Sequence, residues 1–175
     1  MPTATVITAA SLQYSLAAAF LITPALAHRH GAAAQRAAEA ELARQDADPA
    51  TLTRRGIDFS ATTTALAIST AIALTAAALA TLNLAGHPTG RLLSLILHPV
   101  LFLAGGLITA AQVFVTPYLR AAFQKSGDPA LQRVDAAALV TAALRPFPSW
   151  FRHLTVTRFA LTTAGSLAVI ALLAL

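Results

Sequence analysis

The chain has 175 residues, 57% of them hydrophobic and only 11% charged, and a positive mean hydropathy; an ordinary soluble domain of this length could not hide so much apolar surface. Its formal charge of +5 comes mainly from arginines in two short stretches between apolar runs rather than on one basic face, so no nucleic-acid partner is expected. The absence of cysteine excludes disulfides, thiolate metal sites, iron–sulfur clusters and thiol nucleophiles.

A membrane span needs ~20 mostly apolar residues to cross ~30 Å of hydrocarbon. Four stretches qualify: 5–27, 62–84, 92–118 and 154–175. None holds an aspartate, glutamate or lysine, and Arg158 is their one arginine. The first ends in Ala25-Leu26-Ala27, the small-x-small form of a signal-peptidase site. No basic residue precedes its apolar run, however, and the run is longer than a signal core, so it reads as a retained span.

The connection 28–61 carries five arginines and five acids. Its first part, 32–45, is made of strong helix formers with Arg36/Glu39 and Glu41/Arg44 three residues apart, which predicts that the first helix continues into water. Asp48-Pro49 reads as an N-cap followed by proline, starting a short helix that runs to Arg55 and stops at Gly56. Gly86, Pro88 and Gly90 make the second connection a turn, so the second and third spans form an antiparallel hairpin.

In the connection 119–153 the third helix is predicted to run on to Lys125, stop at Gly127 and restart at Asp128-Pro129. Leu131, Val134 and Ala138 recur opposite Arg133 and Asp135, which predicts an amphipathic helix on the membrane surface, ended by Pro146 and Pro148 and anchored by Trp150. Five Lys/Arg in each of the first and third connections face the single Arg91 in the second. Those two connections are therefore expected in the cytoplasm, and both termini outside it, in a multi-pass protein of the plasma membrane. The fold class is all-α: a four-transmembrane-helix bundle with helical cytoplasmic extensions, forming one domain.

Helices in lipid associate through close backbone packing and polar contacts. Ala65, Ser69, Ala73, Ala77 and Thr81 recur every four residues on the second span, as do Ala160, Ala164 and Ala168 on the fourth, and both series are expected to be packing ridges. The third span sets Ser94, His98, Gly105, Thr109, Gln112 and Thr116 on one face, and the fourth sets Thr155, Arg158, Thr162 and Ser166 on another. Polar groups at membrane depth are costly unless they face the bundle interior, so the two stripes should look at each other. Arg158 is expected to snorkel to the cytoplasmic interface, with a contact to Gln112 at matching depth as the alternative. His98, beside Pro99, is expected to be a hydrogen-bonded packing residue. His28 and His30 with His153 invite a metal reading, but His-Arg-His after a span also makes a basic interfacial collar, and no metal is expected.

Ser11-Leu12-Gln13-Tyr14-Ser15 leading to Thr23-Pro24-Ala25-Leu26, then Phe114-Val115-Thr116-Pro117-Tyr118-Leu119, then Trp150, His153 and Arg158 before a small-residue helix, together resemble the anthrone oxygenase-like family of four-helix integral membrane proteins. The family places its polar residue one position later after the tryptophan, and its arginine one earlier, than this chain does. A second family of four-helix membrane proteins without a settled activity has a similar proline-containing end to its third span. The first resemblance implies an oxidoreductase that takes an anthrone to its anthraquinone with molecular oxygen and no cofactor. His98 or His153 would be the base, and Arg158 or Gln112 would sit on the enolate oxygen. Gln13, Tyr14, Thr109 and Gln112 become candidate substrate-binding residues, with a hydrophobic aromatic molecule as ligand. The alternative is a non-enzymatic assembly, lipid-binding or transport subunit, acting as a homo-oligomer. A closed polar cavity would favour the enzyme, and small-residue ridges facing lipid the subunit.

Overall fold

A computed structural model describes residues 2–174, all of whose regular structure is helical. Four helices are long and apolar enough to cross a membrane: Ala4–Arg44, Thr63–Leu84, Pro88–Val113 and Phe151–Ala174. The chain divides into two compact units. One, the span unit, comprises Met1–Thr23, Ala67–Val113 and Arg152–Leu175; the other, the connection unit, comprises Pro24–Leu66 and Phe114–Phe151.

In the span unit, helix α1 (Ala4–Arg44) supplies its first part, α3 (Thr63–Leu84) most of its length, and α4 (Pro88–Val100) and α5 (Gly106–Val113) the third span. Helices α9 (Phe151–Ala160) and α10 (Ser166–Ala174) supply the fourth. Leu16, Ala17 and Phe20 of α1 pack with Ala73 and Ala76 of α3 and with Leu101. Helix α3 ends in a Schellman turn, where Gly86 at φ 71° lets His87 N–H reach Leu82 O and its own N–H reach Asn83 O. His87 Nδ1 then accepts from Thr89 N–H, and Pro88 opens α4, so the expected hairpin forms. Gly90 makes it tight: a Cβ there would lie 2.7 Å from Leu82 Cβ and 2.9 Å from Asn83 N.

The third and fourth spans each contain a π-turn, at Leu101–Gly105 and Leu161–Gly165, and the two pack against each other. Pro99 has no N–H for the ladder just before the first. In the second, Thr162 and Thr163 donate to the carbonyls of Arg158 and Phe159 four residues back, at 2.6 and 2.8 Å, competing with the backbone for them. Gly105 sits where a Cβ would meet Thr162 Cγ2 at 2.8 Å.

Within the chain, burial takes in only part of each small-residue ridge. On α3 the buried positions are Ala73, Ala76, Leu79, Ala80 and Asn83, while Ala65 and Thr81 are exposed. Ala160 and Ala164 are exposed too. A strict step of four advances ~40° per repeat on a 3.6-residue helix, so five members fan around it, whereas alternating steps of three and four stay on one face.

In the connection unit, α1 runs on to Arg44 as its composition predicts and closes in a Schellman turn at Asp46, φ 55°. Arg44 pairs with Glu41 at 2.9 Å; Glu39 accepts from Gln35 rather than pairing with Arg36. Asp48 caps Ala50 N–H ahead of α2 (Thr51–Arg54), and Gly56 at φ 66° ends that turn. The Ala50 N–H and then the Arg54 guanidinium hold the exposed Asp48 carboxyl below its usual 3.8.

The predicted run from the third span to Lys125 breaks at Phe114. Pro117, three residues on, denies Val113 its ladder hydrogen bond, and α6 (Val115–Gln124) starts afresh. Gly127 and Asp128-Pro129 then open α7 (Pro129–Gln132) as expected. The surface helix expected beyond is corrected: Asp135 caps Ala137 and Ala138 to open a separate α8 (Ala136–Leu144). Its Leu139, Val140 and Ala143 are buried with Leu42, Leu119, Phe123 and Leu131 in this unit's core.

Candidate functional site

The buried polar groups of the span unit form two separate clusters. The first surrounds His98. Gln13 Nε2 lies 2.9 Å from Ser94 Oγ and 3.1 Å from His98 Nε2, and Gln13 Oε1 accepts from Asn83 Nδ2 at 3.0 Å. Asn83 also donates to Ser94 Oγ, which passes its own proton to Gly90 O at 2.7 Å. On the other side of the ring, His98 Nδ1 is 3.2 Å from Ser166 Oγ. Since the Gln13 amide donates, His98 Nε2 accepts, so the ring proton sits on Nδ1 and goes to Ser166. All five side chains are buried. This is a closed network around a neutral imidazole with both nitrogens engaged, as expected of a packing histidine.

The second cluster surrounds Arg158, and here snorkelling is corrected. Its residue exposure is 4%, its Nη2 donates to Gln112 Oε1, and its Cζ stands 5.2 Å from the centroid of the buried Phe20 ring. Gln112 itself is exposed. The guanidinium Nε is buried without a hydrogen-bond partner among the described residues. All seven acidic residues, Glu39, Glu41, Asp46, Asp48, Asp58, Asp128 and Asp135, belong to the connection unit, so Arg158 has no acidic side chain within its own unit.

The other sequence candidates fall outside a common site. His153 is exposed and, five residues before Arg158, stands about 140° around the helix from it. Tyr14 is half-exposed with its hydroxyl 2.8 Å from Thr81 Oγ1. Thr109 is buried, but its hydroxyl is taken by the carbonyls of Gly105 and Gly106 in its own helix. His98 and Arg158 do not share a cluster: Ser166, the histidine's partner, is eight residues from Arg158, roughly 12 Å along the helix. In the connection unit His28 Nδ1 lies 3.1 Å from Ala61 O and His30 tilts against Phe147, and a cleft of about 390 Å³ is lined by Gln35, Thr53, Asp58 and Ser60.

Sequence reasoning missed Asn83 and Phe20. Asn83 is the one asparagine of the chain and stands in the last turn of an apolar span, a costly place for an amide without partners, and that signal was sufficient to find it. Phe20 carries no such signal. Comparison of the chain with protein-family models, curated proteins and solved structures finds no match.

Proposed function

We propose that this chain is a multi-pass membrane protein that binds a lipophilic molecule bearing an anionic oxygen at Arg158, and that it oxidises an anthrone-like aromatic ketone to the quinone. The observation that carries this reading is a buried guanidinium in a unit without an acidic side chain. An unpaired charge away from water is costly, and an incoming anion repays the cost. Chemically, the anthrone methylene loses a proton to give an electron-rich enolate. Oxygen attacks that carbon, one oxygen atom stays as the new carbonyl, and the other leaves as water with the two methylene hydrogens. Arg158 and Gln112 would hold the enolate oxygen, and electrostatic stabilisation of that kind contributes about 10²- to 10³-fold. His98 has both nitrogens engaged and His153 stands about 140° around the helix from Arg158, so the reading rests on stabilisation of the enolate rather than on a histidine base. The four spans would lie in the plasma membrane with both termini non-cytoplasmic.

Membranes containing the chain should oxidise an anthrone faster than control membranes, one oxygen molecule per quinone. Arg158→Leu should lose that advantage, and His98→Gln should lower stability first. Wild-type membranes that never exceed the control would defeat the enzymatic reading. The exposed Ala160 and Ala164 favour the second reading, an assembly subunit, whose signature is a homo-oligomer dispersed by leucines at those positions.

A further inference from the structure

Two buried side-chain polar atoms lack a hydrogen-bond partner among the described residues: Arg158 Nε and Thr23 Oγ1. Phe20 lies against the Arg158 guanidinium, and Thr23 follows it by three residues on the same face of α1. Thr23, Gln112 and Arg158 also all stand within a few residues of the points where the chain leaves or enters the span unit, at Thr23, Val113 and Arg152.

Thr23 stands apart from the buried threonines Thr109 and Thr162. Thr109, Thr162 and Thr163 donate to a carbonyl of their own helix, whereas the Thr23 hydroxyl, on a residue 3% exposed, does not. A buried donor is rarely left idle, because losing its water without replacement costs more than an ordinary hydrogen bond returns.

We infer that Thr23 and Arg158 form a two-point subsite for a single oxyanion carried on an apolar body, with the Thr23 hydroxyl and the Arg158 Nε–H both donating to it and the Phe20 ring forming an apolar wall. The inference rests on Arg158 being a ligand-binding cation, as proposed above, and adds a contact from α1 and a ligand class. A singly charged carboxylate, phenolate or enolate fits two donors and one positive charge. A neutral alcohol of the same shape leaves the charge unanswered.

Anthracene-2-carboxylate is a fluorescent probe of this class, and anthracene-2-methanol is its neutral control. With the full chain in nanodiscs of phosphatidylcholine, the carboxylate should bind at least about tenfold more tightly than the alcohol, the factor expected of a hydrogen bond to a charged group. Thr23→Val and Arg158→Leu should each remove that preference, and Thr23→Ser should keep it. Without ligand, Thr23→Val should unfold no earlier than the wild type, because its hydroxyl has no partner to lose. Displacement of the probe by myristate would identify free acids as occupants; displacement by phosphatidylglycerol in the disc would identify a headgroup phosphate.

Full preference retained by Thr23→Val overturns the subsite and leaves only the contacts of Arg158 and Gln112. Equal binding of acid and alcohol by the wild type overturns it as well. Carboxylate binding without any anthrone oxidation would instead defeat the enzymatic reading and leave the subsite standing.

Discussion

Two buried side chains at similar remove from water are solved in opposite ways. His98 meets a donor on one nitrogen and an acceptor on the other, so its burial adds order to the span unit. Arg158 keeps a charge with one amide, one aromatic face and an unpartnered Nε. Removing a buried charge that lacks a counter-ion relieves its desolvation cost, and apolar replacements of buried ionic groups often stabilise by about 1–4 kcal/mol. Arg158→Leu should therefore raise the Tm of the purified, ligand-free protein in detergent. Gln112→Leu, which takes away the guanidinium's amide partner, should lower it. In the double variant the Gln112 penalty should vanish, and strictly additive shifts in Tm would mean that the two side chains do not act on each other.

At the scale of elements, the α3–α4 hairpin governs whether the His98 network exists. Asn83 ends one helix and Ser94 stands nearly two turns inside the next, and they meet because Gly90 lets the backbones close. Gly90→Ala should force the hairpin apart by a few tenths of an ångström or more at Leu82 and Asn83. The expected loss is about 1–3 kcal/mol, the range for overpacking. The diagnostic measurement is the His98 ring by NMR: its Nδ1–H should exchange slowly in the wild type and quickly in the variant, and unchanged exchange would mean that the turn, not Gly90, sets the contact. The paired π-turns act at the same scale. Each widens a helix by a residue where Gly105 meets Thr162, and single-turn π-bulges recur at functional sites.

For the whole molecule the first question is orientation, and the lysine and arginine distribution supplies the expectation. Cysteines introduced singly at Ser60, Thr89 and Ser126 should react with a membrane-impermeant reagent in intact cells only at Thr89→Cys. Modification at Ser60→Cys or Ser126→Cys would invert the topology. The outcome also bears on Arg158, because positive-inside orientation puts the Thr23, Gln112 and Arg158 ends of the spans on the cytoplasmic side.

The sequence by itself determined what depends on near neighbours along the chain. Apolar length marked four helices to within a few residues, and Gly56, Gly86 and Gly127 with their following caps marked where helices end, because φ > 0 and orphan backbone groups are local requirements. The cost of burying hydroxyls and imidazole turned Ser94, His98, Thr109, Thr155, Thr162 and Ser166 of the predicted stripes inward, whereas Gln112 of the same stripe is exposed. Tertiary structure alone decided partners. Whether Arg158 reached the interface or the amide of Gln112 at matching depth turned on packing across helices, including Phe20, which bears no mark of it in sequence. The true face of α3 was likewise decided by what packed on it, since a repeat of four and a mixed repeat of three and four look alike along a chain of alanines and diverge only around the helix.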